Sequence, residues 1–333
     1  MRKLILISVI LLTFWGCEDD EKIPQPNIQG GEILIANQGN FGWGEGSLTL
    51  YNTNSKSTQD FVFKAINNES MGNVFQSIAN IKGTYYFVIN NSGKIIVTDS
   101  LYKKTNEING LTSPRYIYAI DDTKAYVTDL YAKSISVIDL KTNEISNKIP
   151  CQGWSERAVL VGDYFWFTAP DSDKLYAIDI IQDNIVDSAV VDPFPESVVT
   201  DNSGNIWVLC RGDKSKAISA SLIKLSKENL NMELKIPLSG VPTSLVHDHS
   251  TDKLFYISEN VWFMHAEDTV PKIFVENENR VLYGLAVDPT SQEIYISDAK
   301  DFVSRSEVFR YTKSGALMDR FLAGIIAGDF FFP

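Results

Sequence analysis

The chain is poor in the residues that carry much of enzyme chemistry. Its 333 residues include three histidines and three cysteines. His247 and His249 stand together in HDHSTD, and His265 stands apart. No Cys-x-x-Cys pair and no Cys/His zinc spacing occurs. Also missing are Gly-x-Ser-x-Gly, His-Glu-x-x-His, a Walker loop and a Rossmann fingerprint. These absences exclude the familiar motif-bearing hydrolases, zinc sites and nucleotide enzymes. Basic residues are few as well, with 30 Lys and Arg against 42 Asp and Glu and a formal net charge of −12. A field of that sign repels phosphate backbones, which excludes nucleic acid as a partner. No stretch has the periodicity of a long amphipathic helix. The longest apolar run, Leu4 to Phe14, has 11 residues and is too short to span a bilayer.

That run follows Arg2-Lys3 and ends at Trp15-Gly16-Cys17, the order of a signal peptide. A small residue before Cys after an apolar run resembles a bacterial lipobox, so residues 1–16 read as a lipoprotein signal peptide and Cys17 as the lipidated residue. Removing that leader takes the mature chain to a net charge near −14. Several acyl chains on one Cys hold a protein to a membrane where a single chain would not. Glu18-Asp19-Asp20-Glu21 and the Pro- and Gly-containing stretch to Gly31 make 17–31 an acidic, extended tether. The acidic run resembles the surface-export signal of Bacteroidota lipoproteins, which implies an outer-membrane, cell-surface protein. Cys151 and Cys210 lie 59 residues apart at strand ends in different repeats and read as free, partly buried thiols.

Residues 32–333 repeat. Tyr86, Tyr126, Trp166, Trp207, Tyr256 and Tyr295 each sit in a short aromatic strand, at steps of 40, 40, 41, 49 and 39 residues. Asp99, Asp139 and Asp179 close the next strand, 40 residues apart. Four alternating strands per unit of this length mark a propeller blade. The count gives an all-β, seven-bladed β-propeller. Six inner strands open near Gln76, Pro114, Ser155, Pro195, Pro242 and Leu282. The remaining blade takes Ile33–Ile35, Ser47–Tyr51 and Asp60–Phe63 from the N-terminus and an inner strand, Asp329–Phe332, from the C-terminus. Gly324 to Gly328 reads as its connector. The 49-residue step, with Val261 to Val270 just beyond it, leaves six or eight blades as alternatives. The repeated Asp residues read as turn caps, as do Asp121, Asp201, Asp248 and Asp288.

In such a fold the loops leading into the inner strands share a face with the loops between second and third strands. That face is where a ligand would sit. From these loops Asn40, Trp43, Asn91, Arg115, Tyr131, Trp154, Glu196, Arg211 and Tyr283 are the candidate ligand-binding residues. Large aromatics in Gly- or Ser-containing loops are not needed by a core, and amides and Arg orient a polar ligand. Arg115 and Arg211 equally suit ion pairs with Glu156, Glu196 or Asp213. Glu156, Glu196, Asp298 and Asn90 are the residues that would hold a metal in a lactonase-like hydrolase. The His247/His249 turn belongs to the opposite face.

ANQGNFGWGEGSLTLYN (36–52), LTSPRYIYAIDDTKAYVTDLYAKSISVID (111–139), IWVLCRGD (206–213) and the segment 293–332 ending DRFLAGIIAGDFFF resemble the YncE-like surface propeller lipoproteins of Bacteroidota. That group includes the BtuG-type cobalamin-binding proteins. The resemblance covers residues 32–332. It implies a binding protein rather than an enzyme, with cobalamin or a related corrinoid as ligand rather than cofactor. It also implies a lipid anchor on Cys17 and hand-over to a TonB-dependent outer-membrane transporter. A surface-layer or adhesion propeller with protein partners only, and a metal-dependent lactonase-like hydrolase, are the alternative expectations.

Overall fold

A computed structural model describes residues 24–333. The leader and Cys17 lie outside the described residues. Seven four-stranded antiparallel sheets form the chain, each a blade, and the order within each runs from the channel outwards. Blade 1 is composite: Ala327–Phe331 is its inner strand, followed by Ile33–Asn37, Ser47–Asn52 and Ser57–Gln59. The other inner strands are Phe75–Ile81, Pro114–Ala119, Ala158–Val161, Pro195–Thr200, Thr243–Asp248 and Leu282–Val287, opening blades 2 to 7.

Among the described residues there is no single core. Seven separate apolar clusters occur, one at each blade junction. Because both faces of a middle strand press on neighbouring blades, Ile206–Cys210 (IWVLC) is buried at every position instead of alternating with polar residues. Outer strands such as Glu144–Pro150 are mostly exposed and carry Glu, Asn and Lys, which discourage edge-to-edge pairing. Turn chemistry follows expectation: Asp99, Asp139 and Asp179 accept backbone N–H bonds within their own hairpin turns. Asp121, Asp201, Asp248 and Asp288 do the same after inner strands.

Ring closure is as expected, with Phe330 opposite Ile35 and Phe331 opposite Leu34. Three details of the expectation are corrected. The closing strand starts at Ala327, and Gly324 and Ile325 belong to the last strand of blade 7, Leu317–Ile325. Gly324 is needed there because its backbone N–H bonds Asn37 Oδ1 at 2.9 Å, and a Cβ would lie 2.6 Å from the Asn37 side chain. Second, Asp60–Phe63 is not a strand. Pairing stops at Gln59, Phe61 turns left-handed, and Val62–Asn67 forms a short helix that buries Val62 and Phe63 against blade 2. Third, the long 49-residue step gains most of its extra length in blade 5, where a 3₁₀ turn at Lys214–Lys216 expands the loop before Ala220. Asn260–His265 is an ordinary third strand of blade 6.

Cys151 and Cys210 are free. Burial pushes both thiols up, to about 11 and about 12, so neither is a thiolate near neutrality. Among the described residues no helix is long and apolar enough to cross a membrane.

Candidate ligand-binding face

The two loop sets do share one face. Backbone hydrogen bonds tie Asn90 to Val74, Leu130 to Ser113, Arg211 to Phe194 and Ala299 to Val281, each joining a loop after a second strand to the approach of its own inner strand. At the centre of this face the channel opens into a basin of about 520 Å³.

Bulges build the wall of this basin. The pairing register slips near the start of the inner strands of blades 1, 2, 3, 5, 6 and 7. A bulge leaves a residue out of the ladder and re-aims its side chain. The second residue of these strands is Gly328, Gln76, Arg115, Glu196, Ser244 and Tyr283 in turn. Glu156 supplies the seventh position, just ahead of its strand, with its N–H on Thr168 O at 3.1 Å. All seven line the basin.

Its electrostatics are built from few groups. Arg115 Nε bonds both oxygens of Glu156 at 2.9 and 2.8 Å, Nη2 reaches Oε1 at 2.6 Å, and Nη1 donates to Gln76 Oε1. Blades 2, 3 and 4 are thereby clasped, and Arg115 and Glu156 neutralise one another. Arg157 lies over the Tyr116 ring at 3.9 Å from its centroid. Glu196 Oε2 accepts from Ser197 Oγ at 2.6 Å and from the Ser244 N–H at 3.2 Å. Deeper, Asp329 Oδ2 accepts the Ile78 N–H at 3.0 Å. Burial raises both carboxyls above their ordinary range, although nearby Arg157 opposes it. Tyr283 donates its hydroxyl to Gln38 Oε1 at 2.9 Å, joining blade 7 to blade 1.

The structure gathers some of the residues expected from sequence and disperses others. Arg115, Glu196 and Tyr283 meet in the basin. Asn91 and Tyr131 line a hollow of about 260 Å³ that shares Gln38, Gln76, Arg115 and Tyr283 with the basin, so the two adjoin across these side chains. Trp154 stands edge-on to Tyr131, centroids 5.6 Å apart, and is 37% exposed. Trp43 is 93% exposed on the rim, its loop closed by N–H bonds from Trp43 and Gly44 to the Asn40 carbonyl. Asn40 thus shapes the loop through its backbone. Gly39 permits the loop to return on itself: φ is +74°, and a Cβ would lie 2.3 Å from the Glu45 carbonyl oxygen. Arg211 lines a separate hollow beside Lys214, with its Nε unpartnered. Asp213 pairs with Lys216 rather than with Arg211. As site residues, sequence reasoning passed over Gln76, Arg157 and Asp329; Glu156 it read as an ion-pair partner of Arg115 or a metal ligand, and the ion pair is what forms. The usable signal was positional: the residue after the first of each inner strand, marked by Pro114-Arg115 and Pro195-Glu196.

Of the residues of the metal-site alternative, Glu156 and Glu196 both line the basin, but the four do not form one cluster. Glu156 is held by Arg115, Asn90 bonds Ser113 Oγ and Pro114 O, and Asp298 accepts the Val281 and Lys300 N–H groups. Among the described residues no group of three His, Cys, Asp or Glu is placed to hold a metal ion. His247 pairs with Asp252 at 2.7 Å in the turn after the inner strand of blade 6, on the opposite face.

Residues 31–316 match the family model described as a domain of unknown function, DUF5074. The chain belongs to the DUF5074 family. No curated protein matches it. Solved structures share the DUF5074 chain's fold at low identity. A quinonprotein alcohol dehydrogenase-like protein from Bacteroides thetaiotaomicron aligns with TM-score 0.72 and 14% identity, over 91% of this chain and 78% of its own. A functionally unknown protein from Desulfotomaculum acetoxidans aligns with TM-score 0.70 and 12% identity, over 91% and 98%. Virginiamycin B lyase from Staphylococcus aureus aligns with TM-score 0.61 and 10% identity, over 74% and 83%. At such identities the likeness to this DUF5074 protein is one of fold.

Proposed function

We propose that this protein is a cell-surface lipoprotein that binds a large polar nutrient, cobalamin or a related corrinoid, and passes it to a TonB-dependent outer-membrane transporter. The observation that carries the binding reading is the adjacency of basin and side hollow on one face that also exposes large aromatic side chains. Their combined size exceeds what a metabolite of a few heavy atoms needs and falls within the range of ligand-binding clefts. Wall donors and acceptors suit a ligand with many amide groups. The rim aromatics Trp43, Tyr131 and Trp154 offer flat apolar area at low entropic cost. The Gly16-Cys17 boundary and the acidic tether support the anchor.

Titrating cobalamin into the mature protein tests the reading. The expected result is saturable calorimetric heat and a change in the visible corrin band. Absence of both at high-micromolar ligand overturns it. A second reading, an adhesion propeller with protein partners only, draws on the exposed Phe302 and Val303 of the same face. It is favoured if affinity purification returns a stoichiometric protein partner and the cobalamin titration is silent.

A further inference from the structure

One junction of the ring lacks the side-chain contacts at the channel that the others have, although the Phe194 N–H bonds Ser172 O across it at 3.0 Å. Polar contacts near the channel join blades 1 and 2 (Asp329 to Ile78 N), 2 and 3 (Gln76 to Arg115), and 3 and 4 (Arg115 to Glu156). They also join blades 5 and 6 (Glu196 to Ser244 N), 6 and 7 (Ser244 Oγ to Tyr283 O), and 7 and 1 (Tyr283 to Gln38). Between the inner strands of blades 4 and 5 the described residues make no hydrogen bond. The contact there is apolar, through Val159, Trp166 and Val198.

At the mouth of that junction stand Arg157 from blade 4 and Glu196 from blade 5, both lining the basin. The Arg157 guanidinium donates to no protein acceptor and ion-pairs with no carboxylate among the described residues. The Tyr116 ring covers one of its faces. Glu196 commits Oε2 to Ser197 and Ser244, and Oε1 accepts no hydrogen bond. A set of guanidinium donors and a carboxyl acceptor thus stand on the same wall of the basin without a protein partner. Neither is among the fully buried unpartnered atoms, so both open to the basin and are free to meet a ligand there.

The sign of the surrounding charge selects the partner. Glu259 and Arg280 also line the basin and Arg211 acts on Glu196, but with Arg115 and Glu156 cancelling, the charged groups that act on one another at this spot are Arg157, Glu196 and Asp329. A bare carboxylate would gain from one of these and be opposed by two. A bare ammonium would be opposed by Arg157. A neutral group with an acceptor at one end and a donor at the other meets both sides, and a carboxamide is the smallest common one.

We propose that Arg157 and Glu196 form a subsite for an uncharged amide group of the ligand, Arg157 donating to its carbonyl oxygen and its N–H donating to the Glu196 carboxyl group. The inference rests on the reading that the basin is the ligand site and specifies the chemistry recognised there.

The mature chain, labelled with ¹⁵N, is titrated with glutaramide, glutarate and butylamine while the Arg157 Nε–H and Ser197 backbone signals are followed. Glutaramide is expected to shift both signals, and glutarate and butylamine neither. Arg157→Lys and Glu196→Ala, each checked for an unchanged melting transition, should abolish the Ser197 response. With cobalamin as probe, each variant should weaken binding about ten- to hundredfold, the loss of a hydrogen bond to a charged group. Glutarate moving Arg157 as strongly as glutaramide overturns the proposal, as does a glutaramide response that survives both substitutions. Protein that ignores cobalamin yet gives the glutaramide response loses the corrinoid reading and keeps the amide subsite.

Discussion

Truncation after Ile326 removes the strand that closes the ring, and its effect can be worked from the contacts. Ala327 is fully buried and Phe330 is 8% exposed at the blade 7/1 junction, against Tyr295. Phe331 packs on the blade 1/2 cluster, its ring 5.6 Å from Tyr85. Burying each Phe contributes about 2–3 kcal/mol. The ladder to Ile33–Asn37 and the Asp329 bond to Ile78 add about 1 kcal/mol per hydrogen bond. The ordering entropy of the strand, about 1–2 kcal/mol per residue, offsets part of this gain. The strand also shields apolar side chains such as Ile35 on its neighbours, which its removal would leave wet. A net loss of about 5 kcal/mol or more matches the whole stability of many domains. The truncated chain should therefore lose its cooperative urea transition, followed by Trp fluorescence, and should associate through the bared edge of Ile33–Asn37. Phe330→Ala, a milder change, should cost about 3–5 kcal/mol. Leu317→Ala, exposed on the outer strand of blade 7, should cost less than about 0.5 kcal/mol. A truncated chain that stays monomeric with an unchanged urea midpoint would refute the closure argument.

Three further outcomes are expected. Arg115→Met leaves Glu156 buried without its partner and should lower stability by about 3–5 kcal/mol, whereas Arg115→Met with Glu156→Leu should recover most of that in thermal unfolding; equal losses would show that the pair is not coupled. Burial raises the Glu196 carboxyl, so the folded state keeps a proton that the unfolded chain gives up, and this group's contribution falls as pH rises from the ordinary carboxylate range through its folded value. Glu196→Gln should flatten the stability profile just above the ordinary carboxylate range, and an unchanged slope there would assign it to other groups. Trp43→Ala and Trp154→Ala should leave the melting temperature in place and weaken cobalamin binding by about 1–3 kcal/mol, and unaltered calorimetric affinity in both would remove them as anchors.

Much of the fold was readable because its causes are local. Alternation within each strand, Asp99, Asp139 and Asp179 at their turns, and the spacing of Tyr86, Tyr126 and Trp166 all act over a few residues and repeat. The Phe-rich tail was readable as a strand in search of a sheet for the same reason. What misled was local as well: Asp60 to Phe63 alternates like a strand, but Phe63 does better in the blade 1/2 cluster than in a ladder. The candidate site was only partly readable. Trp43 and Tyr131 stand out in their loops, yet the wall of the basin is made by residues whose neighbours in sequence say little. Gln76, Glu156, Glu196 and Ser244 come from four different blades and meet because the ring closes and, for all but Glu156, bulges turn them inwards. Strand, turn and repeat length are thus determined by short-range chemistry. Which donors face which acceptors across the channel was decided by closure, because separations of 40 residues and more along the chain become neighbour contacts only after the last strand pairs with the first.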